Sequence, residues 1–323
     1  MKRLLLLITF FLILSSAWAQ SVSFRINDGT SDAALKERIE SNLSRLLTAL
    51  NQASTEGPNL SGIRISGNAA ASFRLLWRNM PFRCDEEMVV ERLLTTYEGY
   101  QIRNVPIEVR DDAGKTAYQE LVIDMDMTGE IERINLAIQN HLYRKIISDG
   151  TEVSDLRHRQ MILDYVEQFR TAYNKKDLDF LEKVFSDDAL IITGKVIRRK
   201  AGDRTAVLKD QGEIVYSQLK KKEYLERLRT RVFPQAKYIR VSFSDISVSK
   251  HPSIDGYYGV MLKQGYESSN YSDEGYLFMV WDFRDEANPQ IHVRTWQPYW
   301  LDEQRTQRLD ESKVFNINNF IIE

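Results

Sequence analysis

Apolar residues recur along this chain with two different periods. Over residues 31–54, Leu35, Ile39, Leu43, Leu46, Leu47 and Leu50 fall on one face at helical spacing. Ser31 or Asp32 is placed to cap that helix, and Glu56-Gly57-Pro58-Asn59 ends it. A second helical stretch, 69–80, stops at Pro81. From Met88 onward the period shifts to two. Segments 88–94, 100–109, 117–127 and 131–138 predict four strands, with turns at Gly99, 111–114 and Thr128-Gly129. Residues 144–154, with Ser148-Asp149-Gly150-Thr151, carry no apolar period and predict a connection.

A strong helix begins near Asp155, with Met161, Ile162, Tyr165, Val166, Phe169, Ala172 and Tyr173 as a broad apolar stripe. Asp177 is placed to cap a short helix over 178–185. Strands follow at 190–197 and 212–216, and a helix at 221–232 ends before Pro234. Four more strands are predicted at 238–248, 257–266, 275–283 and 290–296. A charged stretch, 301–313, precedes an apolar one, 315–322, which predicts a last strand. The fold class is therefore α+β: the N-terminal half reads as a long helix, a short helix and an antiparallel sheet, and the C-terminal half as helices followed by four antiparallel strands.

The most apolar run lies at residues 4–14, after Lys2 and Arg3 and before Ala17-Trp18-Ala19. It is too short to span a bilayer, which takes about 20 apolar residues. A basic start, a short apolar middle and a small-x-small end read as a signal peptide over residues 1–19. The expected location is outside the cytoplasm, periplasmic or extracellular. The remaining chain divides into domains at 20–145 and 155–300, with a tail at 301–323. The single cysteine, Cys84, excludes an intramolecular disulfide. With a formal charge of −2 there is no electrostatic footprint for nucleic acid.

Residues 160–173, followed by Asn174-Lys175-Lys176-Asp177-Leu178-Asp179-Phe180-Leu181-Glu182-Lys183-Val184-Phe185-Ser186-Asp187-Asp188-Ala189, resemble the opening of the nuclear transport factor 2-like superfamily. The resemblance runs over about 155–298. The wording around Arg294-Thr295-Trp296-Gln297-Pro298 is similar to exported bacterial members without an assigned reaction. The resemblance implies a cone: a long helix on the concave face of a curved antiparallel sheet. The N-terminal domain is either a diverged second copy or a helix-on-sheet fold of the cystatin type.

Enzymes of that superfamily use general acid–base chemistry inside the cone, which would make Asp282 and His292 the pair and Tyr165 an assistant. Strand alternation places Leu277, Met279, Trp281 and Phe283 on one face, and Tyr276, Phe278, Val280 and Asp282 on the other. Each face is largely apolar, which favours binding over proton transfer. The candidate ligand-binding residues are Tyr165, Phe169, Tyr173, Trp281, Arg294 and Trp296, with Trp281 expected to stack on Arg294 across a hairpin. Asp124-Met125-Asp126-Met127-Thr128-Gly129 opens like a calcium loop, but Asn135 stands where a bidentate Glu is needed, so the segment reads as a hairpin turn. No metal and no cofactor are expected. The expected role is a non-catalytic binding or assembly module of the cell envelope. Its partner is a hydrophobic small molecule, a peptide or an envelope protein. A homodimer through the sheet face would use exposed Tyr257, Tyr258, Tyr266, Tyr271 and Tyr276. The alternative is a small-molecule lyase, isomerase or hydrolase built on Asp282 and His292.

Overall fold

The computed structural model describes residues 21–96, 98–110, 116–150, 153–197 and 213–322. The apolar run at 4–14, the turn at 111–114 and the very start of the 212–216 strand lie outside the described residues.

The N-terminal half contains β1 (Ser23–Asp28), α1 (Ala33–Asn51), α2 (Gly67–Asn79), β2 (Phe82–Arg83), β3 (Met88–Thr95), β4 (Tyr100–Arg110), β5 (Thr116–Met125) and β6 (Ile131–Leu136). Strand order is β1-β3-β4-β5-β6, with β2 on the far part of β4. All six leucine and isoleucine positions of the α1 stripe are buried against this sheet. Asp32 caps α1, accepting from the Leu35 N–H at 3.0 Å. β1 was not expected, and it runs parallel to β3. The sheet is therefore mixed rather than antiparallel. As an edge strand β1 needs partners for its outward N–H groups. α1 supplies them: Glu40 accepts from Ile26, Ser44 from Phe24 and Thr48 from Val22.

The expected connection is largely helical instead. α3 (Asn140–Ser148) turns Leu142 and Ile146 inward at a spacing of four, and both join the C-terminal core. The chain continues through α4 (Val153–Lys175), α5 (Leu178–Val184), β7 (Phe185–Ile197), β8 (Glu213–Lys220) and α6 (Lys221–Arg227). A π turn, Leu228–Val232, completes the segment expected as one helix. β9 (Ile239–Lys250), β10 (Tyr257–Ser268), β11 (Tyr271–Asp282) and β12 (Gln290–Pro298) follow. This sheet runs β8-β7-β12-β11-β10-β9. Only β7 and β12 pair in parallel.

α4 lies between the two sheets. Ile162, Val166, Phe169 and Tyr173 face the C-terminal sheet. Its polar residues meet the N-terminal one: Glu167 forms a buried ion pair with Arg103 and accepts from the Ile138 N–H at 2.6 Å. Thr171 accepts from the Leu136 N–H at 3.1 Å. α4 also closes the edge strand β9. Asn174 accepts from the Val241 N–H at 2.6 Å, and Arg170 Nε donates to the Val241 carbonyl at 2.8 Å. The same Arg170 donates to the Ala137 carbonyl and to Gln119.

Residues 315–322 do not form the expected strand. Phe315, Ile317, Phe320 and Ile322 pack over Tyr257, Phe278, Val280 and Val293 on the outer sheet face. Gln297 fastens this segment, donating to the Lys313 carbonyl and accepting from the Phe315 N–H. A methyl at Gly259 would stand 3.1 Å from Ile317 Cβ, so the bare glycine makes the seat. Tyr257 is therefore buried, Tyr258 is buried in the inner-face core, and Tyr266 and Tyr276 are half-buried; only Tyr271 of the five is open. Among the described residues no helix is long and apolar enough to cross a membrane.

Candidate functional site

The middle of the cone is filled. Tyr165 packs on Trp281 at 5.3 Å between ring centres, Trp281 stacks on Phe283, and Phe169 meets both Tyr173 and Phe185 edge-on. Phe169 and Trp281 are fully buried. The expected stack of Arg294 on Trp281 does not form. The hairpin register sets Arg294 opposite Met279, and a bulge at Val280/Trp281 sets Trp281 opposite Ile291, farther still from Arg294. Arg294 stands over the Tyr224 ring instead, at 5.3 Å.

The Asp282–His292 pair does come together, with His292 Nε2 3.4 Å from Asp282 Oδ2. It lies on the outer face, beside Tyr257 and away from Tyr165. Burial works to raise the Asp282 pKa. Hydrogen bonds from the Arg284 side chain and backbone and from Tyr257 outweigh it and hold the carboxylate below its usual range. Such a carboxylate is an ion-pair partner rather than a proton donor. A second histidine was not singled out from the sequence. His158 on α4 lies 2.8 Å from Glu286 and 3.1 Å from the Tyr258 hydroxyl, which donates to Asp155. Phe283 stacks on the His158 ring. This chain of bonds closes the Trp281 end of the cone.

The opposite end, near the β10–β11 hairpin, is polar. The hydroxyls of Tyr173 and Tyr224 share a short hydrogen bond. Arg294 is only 5% exposed, yet its Nε and Nη1 find no hydrogen-bond partner among the described residues. Nor does the Trp296 Nε1. The Trp296 ring lies so close over β11 that a Cβ at Gly275 would meet its Cε2 at 2.6 Å. Asp273 completes the cluster. Tyr271 donates to its Oδ2 at 2.7 Å, while its Oδ1 is buried and unpartnered. Burial pushes its carboxyl up to about 6, against the opposing pull of Tyr271 and Arg294.

A cavity of about 430 Å³ opens at this end, with the N-terminal domain as one wall. Asp273, Tyr266, Arg170 and Asn174 line it from the cone side, and Met80, Val109, Ala117 and Gln119 from the other. Its volume falls in the range of small-molecule sites, about 300–1,000 Å³. None of the six residues expected to bind a ligand lines it. Tyr173 and Arg294 stand behind Tyr266 and Asp273, coupled to them electrostatically. Asp273 itself was legible: period two puts it on the same face as Gly275, Leu277 and Met279. The segment expected to be a turn rather than a calcium loop is one. Asp126 accepts from the Thr128 and Glu130 N–H groups, and Gly129 takes φ 79°. Among the described residues no group of three or more potential metal ligands comes together.

No family model matches the chain, and no curated protein matches it. Solved structures do. A nuclear transport factor 2-like protein from Cytophaga hutchinsonii is 17% identical over 43% of this chain and 97% of its own, with TM-score 0.32. A similar protein from Rhodospirillum rubrum, of unknown function in nutrient uptake, is 15% identical over 42% and 97%, with TM-score 0.31. A naphthalene 1,2-dioxygenase solved with indole in its active site is 11% identical over 50% and 88%, with TM-score 0.35. The order of elements and the long helix on the inner face are those the sequence resemblance implies. The C-terminal half is the cone that the resemblance implies, a sheet wrapped on one long helix. In this cone the aromatic middle is packed and the hairpin end carries the cavity.

Proposed function

We propose that the protein is an exported binding module that holds a small molecule at the hairpin end of the cone. The observation that carries this reading is the cavity against Asp273, whose carboxyl oxygen is buried without a partner, with the buried Arg294 behind it. A buried polar group left unpaired costs about 1–3 kcal/mol, which a ligand hydrogen bond recovers. Binding is favoured over catalysis because Asp282 and His292 lie on the outer face and Tyr165 on the inner one, so the three do not converge on a substrate. The lining is more polar than the ring-filled middle, which favours a polar ligand over a hydrophobic one. Export rests on Lys2, Arg3, the apolar run and Ala17-Trp18-Ala19.

Native mass spectrometry of the full chain, recovered from the envelope fraction of its source, tests the reading. A bound small molecule is expected on the wild type and is expected to be lost from Asp273→Ala. Wild type and variant with equal loads, or recovery of the chain only from the cytoplasm, would overturn it.

A further inference from the structure

His158 stands between two carboxylates, one reached directly and one through Tyr258. Glu286, in the loop between β11 and β12, meets His158 Nε2 with one oxygen at 2.8 Å and Arg157 with the other at 2.7 Å. Asp155 accepts from the Tyr258 hydroxyl at 3.1 Å and pairs with Arg159 at 3.0 Å. Both carboxylates, paired with arginines, only accept hydrogen bonds. Tyr258 has a single hydroxyl hydrogen, and it points to Asp155. His158 Nδ1, 3.1 Å from that hydroxyl oxygen, must then supply the hydrogen of their bond. Nε2 must supply the one toward Glu286. The full set of bonds therefore needs a hydrogen on both ring nitrogens, which is the charged imidazolium.

A neutral ring cannot complete that set. With its hydrogen on Nδ1, the bare Nε2 faces a carboxylate at 2.8 Å. With its hydrogen on Nε2, Nδ1 must take the Tyr258 hydrogen, and Asp155 is left facing a bare hydroxyl oxygen at 3.1 Å. The remaining charges at this end are Lys250 at the close of β9 and Asp255 in the turn before β10. They pair with each other at 2.8 Å, and Asp255 is within electrostatic reach of His158. Phe283, at the start of the loop, stacks on both the His158 ring and Trp281, so the hold on the loop reaches the packed rings. We propose that His158 is a proton-operated clasp: charged, it ties the β11–β12 loop to α4, and neutral, it lets residues 284–288 lift from the Trp281 end of the cone. The charged ring makes more bonds than the neutral one, so the hold is present in mild acid and lost as pH rises.

Hydrogen–deuterium exchange of the full chain at about pH 5.5 and about pH 8.5, corrected for the intrinsic rate at each pH, tests the proposal. Backbone amides of residues 284–288 are expected to lose protection about fivefold or more at the higher pH. Nitrogen NMR of the imidazole is expected to show both His158 nitrogens protonated at the lower pH. His158→Gln keeps a donor for Glu286 but gains no charge, and is expected to show the low protection at both pH values. Glu286→Gln, in the loop itself, is expected to do the same and covers the case in which His158→Gln fails to fold. His251 accepts from Ser253 and Ile254, and His292 faces Asp188 and Asp282. His251→Gln and His292→Gln are therefore expected to keep the pH dependence. Equal protection at the two pH values in the wild type would overturn the clasp. So would pH dependence retained by either His158→Gln or Glu286→Gln, or either variant as protected as the wild type in acid. Loss of the dependence in His251→Gln or His292→Gln would move the switch to that histidine and also overturn it.

Discussion

Two helices in this molecule do the same job for sheet edges, and they do it with different reach. α1 offers Glu40, Ser44 and Thr48, spaced four apart, to the exposed N–H groups of β1. It serves one edge of its own sheet. α4 offers Glu167 and Thr171 to the chain at the end of β6, and Arg170 and Asn174 to β9. It serves two edges in two sheets. Unpaired strand edges invite pairing with other chains, so both arrangements also guard against aggregation. The difference lies in coupling. Arg170 holds a carbonyl from each half at once, which makes the halves share one set of buried bonds.

The sharpest way to break this comparison is Arg170→Met. It strands the Val241 and Ala137 carbonyls and the Gln119 amide oxygen, each worth about 1–3 kcal/mol when buried and unpaired. A loss of about 4 kcal/mol in urea unfolding is expected, felt by probes in both halves. A loss below about 1 kcal/mol would show that α4 does not couple the sheets. Glu40→Leu is the matching change in α1. It should cost about 2 kcal/mol by stranding the Ile26 N–H, while Glu40→Gln, which retains an acceptor, should stay within about 1 kcal/mol of wild type. If Gln costs as much as Leu, the carboxylate charge rather than the edge bond is what matters.

The third prediction concerns pH. Asp164, on the N-terminal face of α4, has its carboxyl pushed up to about 8. Burial is the main cause, followed by Asp124 and Glu167, against Arg103 and Gln101. An unfolded Asp titrates near 4. A pKa raised on folding gives stability that is complete below about pH 4 and is lost as pH rises toward 8. Wild type should therefore lose stability across that window relative to Asp164→Asn, by at most about 1.4 kcal/mol per pH unit, and the difference should level off above pH 8. Parallel curves for the two proteins would remove Asp164 from the coupling. The smallest effect is expected from Ser44→Ala, about 1 kcal/mol, measured by thermal unfolding. An effect as large as that of Arg170→Met would erase the contrast between the helices.

Much of this architecture was legible because periodicity reports burial. The α1 and α4 stripes, the Asp177 cap and the succession of C-terminal strands along the chain all follow from local spacing. What was hidden depends on distant partners. Phe24 and Ile26 alternate as a strand should, but six residues say nothing about pairing in parallel with β3. The bulge beside Trp281 moved that residue's partner from His292 to Ile291, and no residue pattern announces a bulge. The apolar segment at 315–322 reads as a strand, yet it lies on a sheet face, where its backbone has no ladder to join. The candidate site was least legible of all. Asp273 could be placed on the inner face, but its wall of Met80, Val109, Ala117 and Gln119 comes from more than 150 positions away in the chain, counted roughly.

The seat of residues 315–322 bears on the order in which the chain can mature. Phe278, Val280 and Val293 are covered by Ile317 and its aromatic neighbours, and Gln297 grips the backbone at Lys313 and Phe315. During synthesis, strands β10 to β12 emerge before their cover does. Until that cover arrives, an apolar sheet face is open to whatever holds nascent chains. Release from such a holdase would then coincide with the docking of Ile317 against Gly259, which makes residues 315–322 the latch on the sheet they cover.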